Sequence, residues 1–246
     1  MSPARLAIVL MIAAAGAEMA AQELRVTSTP LLVPAAPTGE GVPPRLPSKL
    51  KPGLVRTTDL AGFATLPPGR QRLIETAVAV ARDSPWLPYL YGGSDPTRGG
   101  FACSGAMYYV MTQCGLRPPR TAAGQYLWLR KAQQLHRVAD DAKSTDDPSL
   151  SELRPGDLLF WAIGHKVDDA ASDNITHVAM YLGRESKDGW QIMINATDGR
   201  SYRGTKAAGY GVYDFRISAK EAKAKLVGYG PPPGMETIKP PSGPSP

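Results

Sequence analysis

The apolar residues of this chain change rhythm near residue 155, from a helical spacing to an alternating one. From Arg70 to Arg82, Leu73, Ala77, Val80 and Ala81 recur at spacings of three and four, which predicts a helix. Pro85 and Pro88 end it, and a glycine-rich turn follows with Gly92-Gly93 and Gly99-Gly100. Cys103, Ala106, Met107, Val110, Met111 and Cys114 fall at steps 0, 3, 4, 7, 8 and 11, one face of a second helix. Gly115 is its stop. A third helix is expected from about Thr121 to Leu135, then a polar, acidic loop over 139–149. After Pro155-Gly156 the alternation predicts strands near Asp157–Ile163, Thr176–Leu182, Gln191–Ala196 and Gly211–Ile217. Helices first and strands afterwards predict an α+β fold, N-terminal helices packed on an antiparallel β-sheet.

Composition divides the chain. Its 246 residues are 43% hydrophobic, enough for one well-buried domain. Of 24 prolines, nine lie between Pro30 and Pro68 and seven from Pro231 onward. Residues 22–69 therefore read as a proline-rich lead segment, 70–230 as the folded domain and 231–246 as a disordered tail. Leu54, Val55 and Leu60 of the lead segment are candidates for packing on the domain. The proline-rich flanks are also candidate contacts for a protein partner. At the N-terminus, Arg5 precedes the apolar run Leu6–Ala15, followed by Ala15-Gly16-Ala17 and Ala20-Ala21. This pattern predicts a signal peptide over 1–21, cleaved after Ala17 or Ala21, and export to the periplasm or the exterior. The run is too short for a transmembrane segment, and no cysteine follows it to accept a lipid anchor.

The formal charge of +6 suits an anionic wall polymer, nucleic acid or a membrane surface. No recognisable motif accompanies it, so no nucleic-acid partner is expected. Two cysteines exclude a disulfide-dense scaffold and a multi-cysteine zinc site. The three histidines lack ligand-like spacing, so no metal or other cofactor is expected.

Cys103 follows the glycine-rich turn and opens a helix, where N–H groups and the macrodipole favour a thiolate. Free N–H groups there also suit an oxyanion. Two readings stand: a nucleophile, or a small hydrophobe on the buried stripe as Cys114 is. About eleven residues of helix separate their Cα atoms by roughly 16 Å, beyond the roughly 7 Å between Cα atoms that a disulfide tolerates. Both are expected to remain thiols. Of the histidines, His136 and His165 read as surface residues. His177 lies on a strand, opposite the Val178/Met180/Leu182 face, where a general base would be well fixed. Asn195 opposes the Ile192/Ile194 face of the next strand. It is either a strand-end turn residue or the third member of a triad.

Five elements in order resemble the NlpC-type cell-wall cysteine peptidases. They are Pro88-Tyr89-Leu90-Tyr91-Gly92-Gly93 with Phe101-Ala102-Cys103-Ser104-Gly105; Pro118-Pro119-Arg120-Thr121-Ala122-Ala123 with Gln125; Leu153-Arg154-Pro155-Gly156-Asp157-Leu158-Leu159-Phe160; Ile175-Thr176-His177-Val178-Ala179-Met180-Tyr181-Leu182-Gly183; and Ile194-Asn195-Ala196. The resemblance implies a papain-like fold and hydrolysis of amide bonds in peptidoglycan stem peptides. It implies Cys103 as nucleophile, His177 as base and Asn195 as its orienting partner, with Tyr89 and Ser104 on the oxyanion and substrate side. It also implies an aspartate where this chain has Ala102, so recognition of a substrate amine is in question. An acyl or amide transferase and an inactive wall-binding module are the alternatives.

Overall fold

The computed structural model describes residues 51–84, 86–163, 174–217 and 222–238. The expected signal peptide, the start of the lead segment, His165 and the end of the tail lie outside the described residues.

Three helices come first: α1 (Pro68–Asp83), α2 (Cys103–Gln113) and α3 (Ala122–Lys131). Pro68 starts α1 where its missing N–H costs nothing. Leu73, Ile74, Ala77 and Val78 are its buried face, with Val80 and Ala81 partly covered. On α2 the buried residues are Cys103, Gly105, Ala106, Met107, Val110 and Met111, close to the expected stripe. Gly115 takes a φ of 84° past its end, a backbone that glycine adopts freely. The Thr121 hydroxyl caps α3 by accepting from the Gly124 N–H at 3.0 Å. This helix stops at Lys131, short of the expected Leu135, because Gln133 turns into the left-handed region at φ 59°.

Eight strands are described. A small ribbon joins β1 (Ser94–Asp95) and β2 (Gly100–Phe101) just ahead of α2. The main sheet holds β3 (His136–Arg137), β4 (Leu158–Ile163), β5 (Ile175–Arg184), β6 (Gln191–Tyr202), β7 (Thr205–Asp214) and β8 (Ala224–Gly230). Its order is β3-β8-β4-β5-β6-β7, antiparallel at every pairing. The fold is α+β, helices first and an antiparallel sheet after, as expected. Three features differ from the sequence reading. His136 lies on a strand, its ring stacked 5.1 Å from that of Tyr229. β6 and β7 extend into a hairpin closed by Arg203 and Gly204, both at positive φ. β8 pairs along β4 where no strand was expected.

Alternation sorts the sheet's two faces. Leu158, Phe160, Val178, Met180, Leu182, Ile192 and Ile194 join the helices in one apolar cluster. Leu159, Trp161, Ala179, Tyr181, Met193 and Tyr213 form a second on the other face, covered by Val138 and Leu150. The Pro155-Gly156-Asp157 turn ties α1 to β4: Arg70 Nη1 donates to Asp157 Oδ1 at 2.8 Å and to the Pro155 carbonyl at 2.6 Å. Asp157 is buried, and burial raises its pKa against the opposing pull of Arg70.

The packed unit reaches past both expected boundaries. Val55 and Leu60 are buried, while Leu54 stays exposed. Gly53 pairs with Val212 and Leu60 with Glu185. At the other end, Met235 and Ile238 belong to the core, so 231–238 is not the start of a disordered tail. Apolar side chains at a few positions outweigh the local proline content.

Candidate active site

The loop before α2 is held by its own backbone. The Leu90 N–H donates to Phe101 O (2.9 Å), Phe101 N–H to Pro88 O (3.2 Å), and Ala102 N–H to Gly93 O (2.9 Å). Gly93 is thereby pressed against the first turn of α2. A Cβ on Gly105 would be driven into the Gly93 carbonyl oxygen, which is why that helical position is glycine. Two side chains from beyond α2 clamp the turn. Arg120 donates to the carbonyls of Gly92 (2.6 Å) and Gly93 (3.1 Å) and to Ser104 Oγ (3.3 Å). Gln125, fully buried, donates to the carbonyls of Ser104 (3.1 Å) and Pro119 (3.0 Å).

Cys103 is the first residue of α2, with no side-chain cap from Ala102. Its thiol reaches β5 and lies 4.0 Å from the Thr176 carbonyl. Burial raises its pKa more than the N–H groups of Val178, Ser104 and Cys103 and the charge of Arg120 lower it. This reverses the expected sign: a helix N-terminus favours thiolate, but removal of water dominates here. Cys103 and Cys114 are both free thiols. Cys114 Sγ lies 3.3 Å from Thr76 Oγ1, partly buried between α1 and α2.

His177 and Asn195 meet across a break in the sheet. The β5–β6 ladder runs from Arg184–Gln191 to Met180–Ile194 and stops there. Beyond it, Asn195 Nδ2 and His177 Nε2 are 2.5 Å apart, and Asn195 is fully buried. Asn195 Oδ1 has no hydrogen-bond partner. The His177 ring packs edge-on to Trp161, with centroids 5.4 Å apart. Burial, followed by the charge of Arg200, lowers the His177 pKa to about 3. The thiol thus rests on the backbone on either side of His177, whose ring packs on Trp161.

Tyr89 bridges to Phe101 ahead of the helix. Burial raises its pKa first, and the negative charge of an ionised Cys103 and of Asp198 adds to this, so the phenol keeps its proton. Ser104 is half-buried and held through Arg120 and Gln125. His136 stands on β3, and Cys114 caps the far end of α2. Arg200 was not foreseen: its guanidinium lies 4.5 Å over the Trp161 ring. Trp161 itself read only as an apolar strand residue. Arg120 and Gln125 appeared in the sequence only as parts of a motif.

The NlpC/P60 family pattern matches residues 87–214. Over 126 residues the chain is 35% identical to the probable endopeptidase p60 of Listeria seeligeri, covering 51% of this chain and 18% of that protein. Over 97 residues it is 33% identical to the γ-D-glutamyl-L-lysine dipeptidyl-peptidase of Bacillus subtilis, covering 39% and 25%. The chain thus matches a quarter or less of the length of either relative. A lipoprotein-like NLP/P60 protein from Staphylococcus aureus aligns in structure with a TM-score of 0.40 and 24% identity, covering 67% of this chain and 41% of that one. The family match takes in about half of the chain and spans every candidate residue from Tyr89 to Asn195, and the chain belongs to the NlpC/P60 family.

Proposed function

We propose that the chain is an exported cysteine peptidase that hydrolyses amide bonds in peptidoglycan stem peptides. The observation that carries this reading is the His177–Asn195 contact, on the strand against which the Cys103 thiol rests. Asn195 engages Nε2, so Nδ1 is the ring nitrogen left to take the thiol proton. A base at Nδ1 requires the proton on Nε2. Asn195 then presents Oδ1 to it by a half-turn of its amide, giving that buried carbonyl the partner it lacks.

Burial favours a neutral thiol and a neutral imidazole, so proton transfer accompanies attack. Sγ bonds to the carbonyl carbon as its proton passes to His177. The oxyanion is received by the Tyr89 hydroxyl and the Cys103 N–H at the helix start. The His177 imidazolium protonates the leaving nitrogen, the C–N bond breaks, and a thioester remains. Water, deprotonated by His177, cleaves that thioester and restores the thiol. The Ser104 hydroxyl accepts from Arg120, which leaves its own proton to donate to substrate.

A wall-binding module without chemistry is the second reading, favoured by a thiol that meets the Thr176 carbonyl. One experiment separates the two. Purified sacculi treated with the protein should release peptide fragments detectable by mass spectrometry, and Cys103→Ala should release none. Release by Cys103→Ala would overturn the cysteine mechanism, and release by neither would favour the binding module.

A further inference from the structure

The far end of the β6–β7 hairpin doubles back on the sheet. Thr205 and Asp214 stand at opposite ends of β7, about 30 Å apart in a straight strand. Yet Arg203, just ahead of Thr205, donates its backbone N–H to Asp214 Oδ1 at 2.8 Å. The chain bends at two places between them. On β6 the bulge between Thr197 and Arg200 holds Gly199, which has nothing within 4 Å. On β7 Gly209 takes a φ of 107°, and a Cβ there would strike the Leu87 carbonyl and the Trp86 ring.

No residue from 198 to 206 is buried, so polar contacts hold this arm and core packing does not. Arg203 grips Asp188 with Nη1 at 2.8 Å and Nη2 at 3.0 Å, and Nη2 also meets Glu185. The Tyr202 hydroxyl donates to Glu185 Oε1 at 3.1 Å, and its ring leaves no room for a Cβ on Gly53. The Arg203 and Asp188 side chains are 31% and 41% exposed, so dissolved salt weakens their pair. Nearer the bends, Arg200 lays its guanidinium 4.5 Å over the Trp161 ring, which packs on His177. The folded arm thus reaches the Trp161–His177 pair, and the charge of Arg200 acts on His177 and Cys103.

We infer that residues 198–206 are a lid over the Trp161–His177 pair, latched by Arg203 on Glu185, Asp188 and Asp214, which opens at Gly199 and Gly209 to admit a peptide. The inference rests on the proposed function only for His177 being the group that a peptide must reach. A lid held by solvent-accessible ion pairs opens more as ionic strength rises, while elements packed in the core keep their places.

The test is modification of histidine by diethyl pyrocarbonate in the full chain, read by peptide mass spectrometry. His136, exposed on β3, is the internal reference. At about pH 7.5 even an imidazole of ordinary pKa is neutral, so the rate reports access and not protonation. His177 should react about tenfold more slowly than His136, or slower still. Arg203→Ala should raise the His177 rate about fivefold, the scale of an exposed ion pair, and leave His136 unchanged. Arg203→Lys, which keeps the charge without the fork, should raise it less. Moving from about 0.05 to about 0.5 M NaCl should speed His177 in the unaltered chain and not in Arg203→Ala. If Arg203→Ala does not fold, Asp188→Asn loosens the same latch from its exposed side and should act in the same direction. Equal rates for His177 and His136 in the unaltered chain overturn the inference. So does a His177 rate that neither salt nor the latch variants move. No part of the test needs turnover, so a chain that cleaves no sacculi can still sustain the lid. Peptide release from sacculi with an unmoved His177 rate would overturn the lid and leave the hydrolase reading standing.

Discussion

Removal of water sets the protonation of Cys103 and His177, the proposed nucleophile and base. Burial raises the pKa of Cys103 and lowers that of His177 to about 3. Both shifts favour the uncharged pair. An ordinary imidazole titrates near 6.5, so a normal base would lose activity through mildly acidic pH. With His177 as the proposed base the imidazole stays neutral, and kcat/KM should remain level from pH 7 to pH 5, falling only toward pH 3. A pH-rate profile with an acid limb near 6.5 would contradict this. The same shift acts on stability. Unfolded His177 binds its proton more tightly than the folded residue does, so its contribution is whole above pH 6.5 and declines as pH falls toward 3. At this scale the sequence was partly legible. Alternation alone placed His177 and Asn195 opposite the apolar positions of their strands. The sign of the thiol's shift was not legible, because burial of Sγ depends on a strand 73 residues away. Arg200 was hidden by its bulge, which breaks the period of two at the position where a polar strand end reads as surface.

Among the elements, α2 and the β5–β6 pair do most to locate the site. The helix start is fixed by contact between Gly105 and Gly93, a contact with no room for a methyl group. Gly105→Ala should cost about 1–3 kcal/mol by overpacking and should lower activity by moving the first turn. Thermal unfolding checks it against Gly199→Ala, a position with nothing within 4 Å, which should leave Tm nearly unchanged. The helices were readable because their buried stripes are long. β8 was not: Gly228 and Gly230 weaken its local preference, and pairing along β4 makes it a strand. Residues 197–206 are mostly polar and carry no strand signal of their own; the register of the β6–β7 hairpin comes from cross-strand bonds.

For the whole molecule, proline content located the folded unit but drew its limits too narrowly. Met235 and Ile238 are 7% and 6% exposed and pack with Leu73 and Leu116 in the core that also holds α2. Ending the chain after Gly230 should therefore destabilise it by about 2–5 kcal/mol, the range for losing a large buried side chain. Urea unfolding of the shortened chain measures this, and Met235→Ala should reproduce part of the loss. An unchanged midpoint would restore the reading of 231–246 as a disordered tail.

The bridge between Gly53 and Val212 has a consequence for how copies of this protein coexist. β7 is an outer strand of the sheet, and such strands offer a row of unpaired amides to any other extended chain. The Val212 N–H donates to the Gly53 carbonyl at 2.9 Å and the Gly53 N–H to the Val212 carbonyl at 3.0 Å. The Tyr210 N–H donates to the Leu87 carbonyl at 2.8 Å. Gly53 ahead of the helices and Leu87 between α1 and α2 thus work as a guard rail, filling the edge where a neighbouring molecule would otherwise add a strand and begin an aggregate.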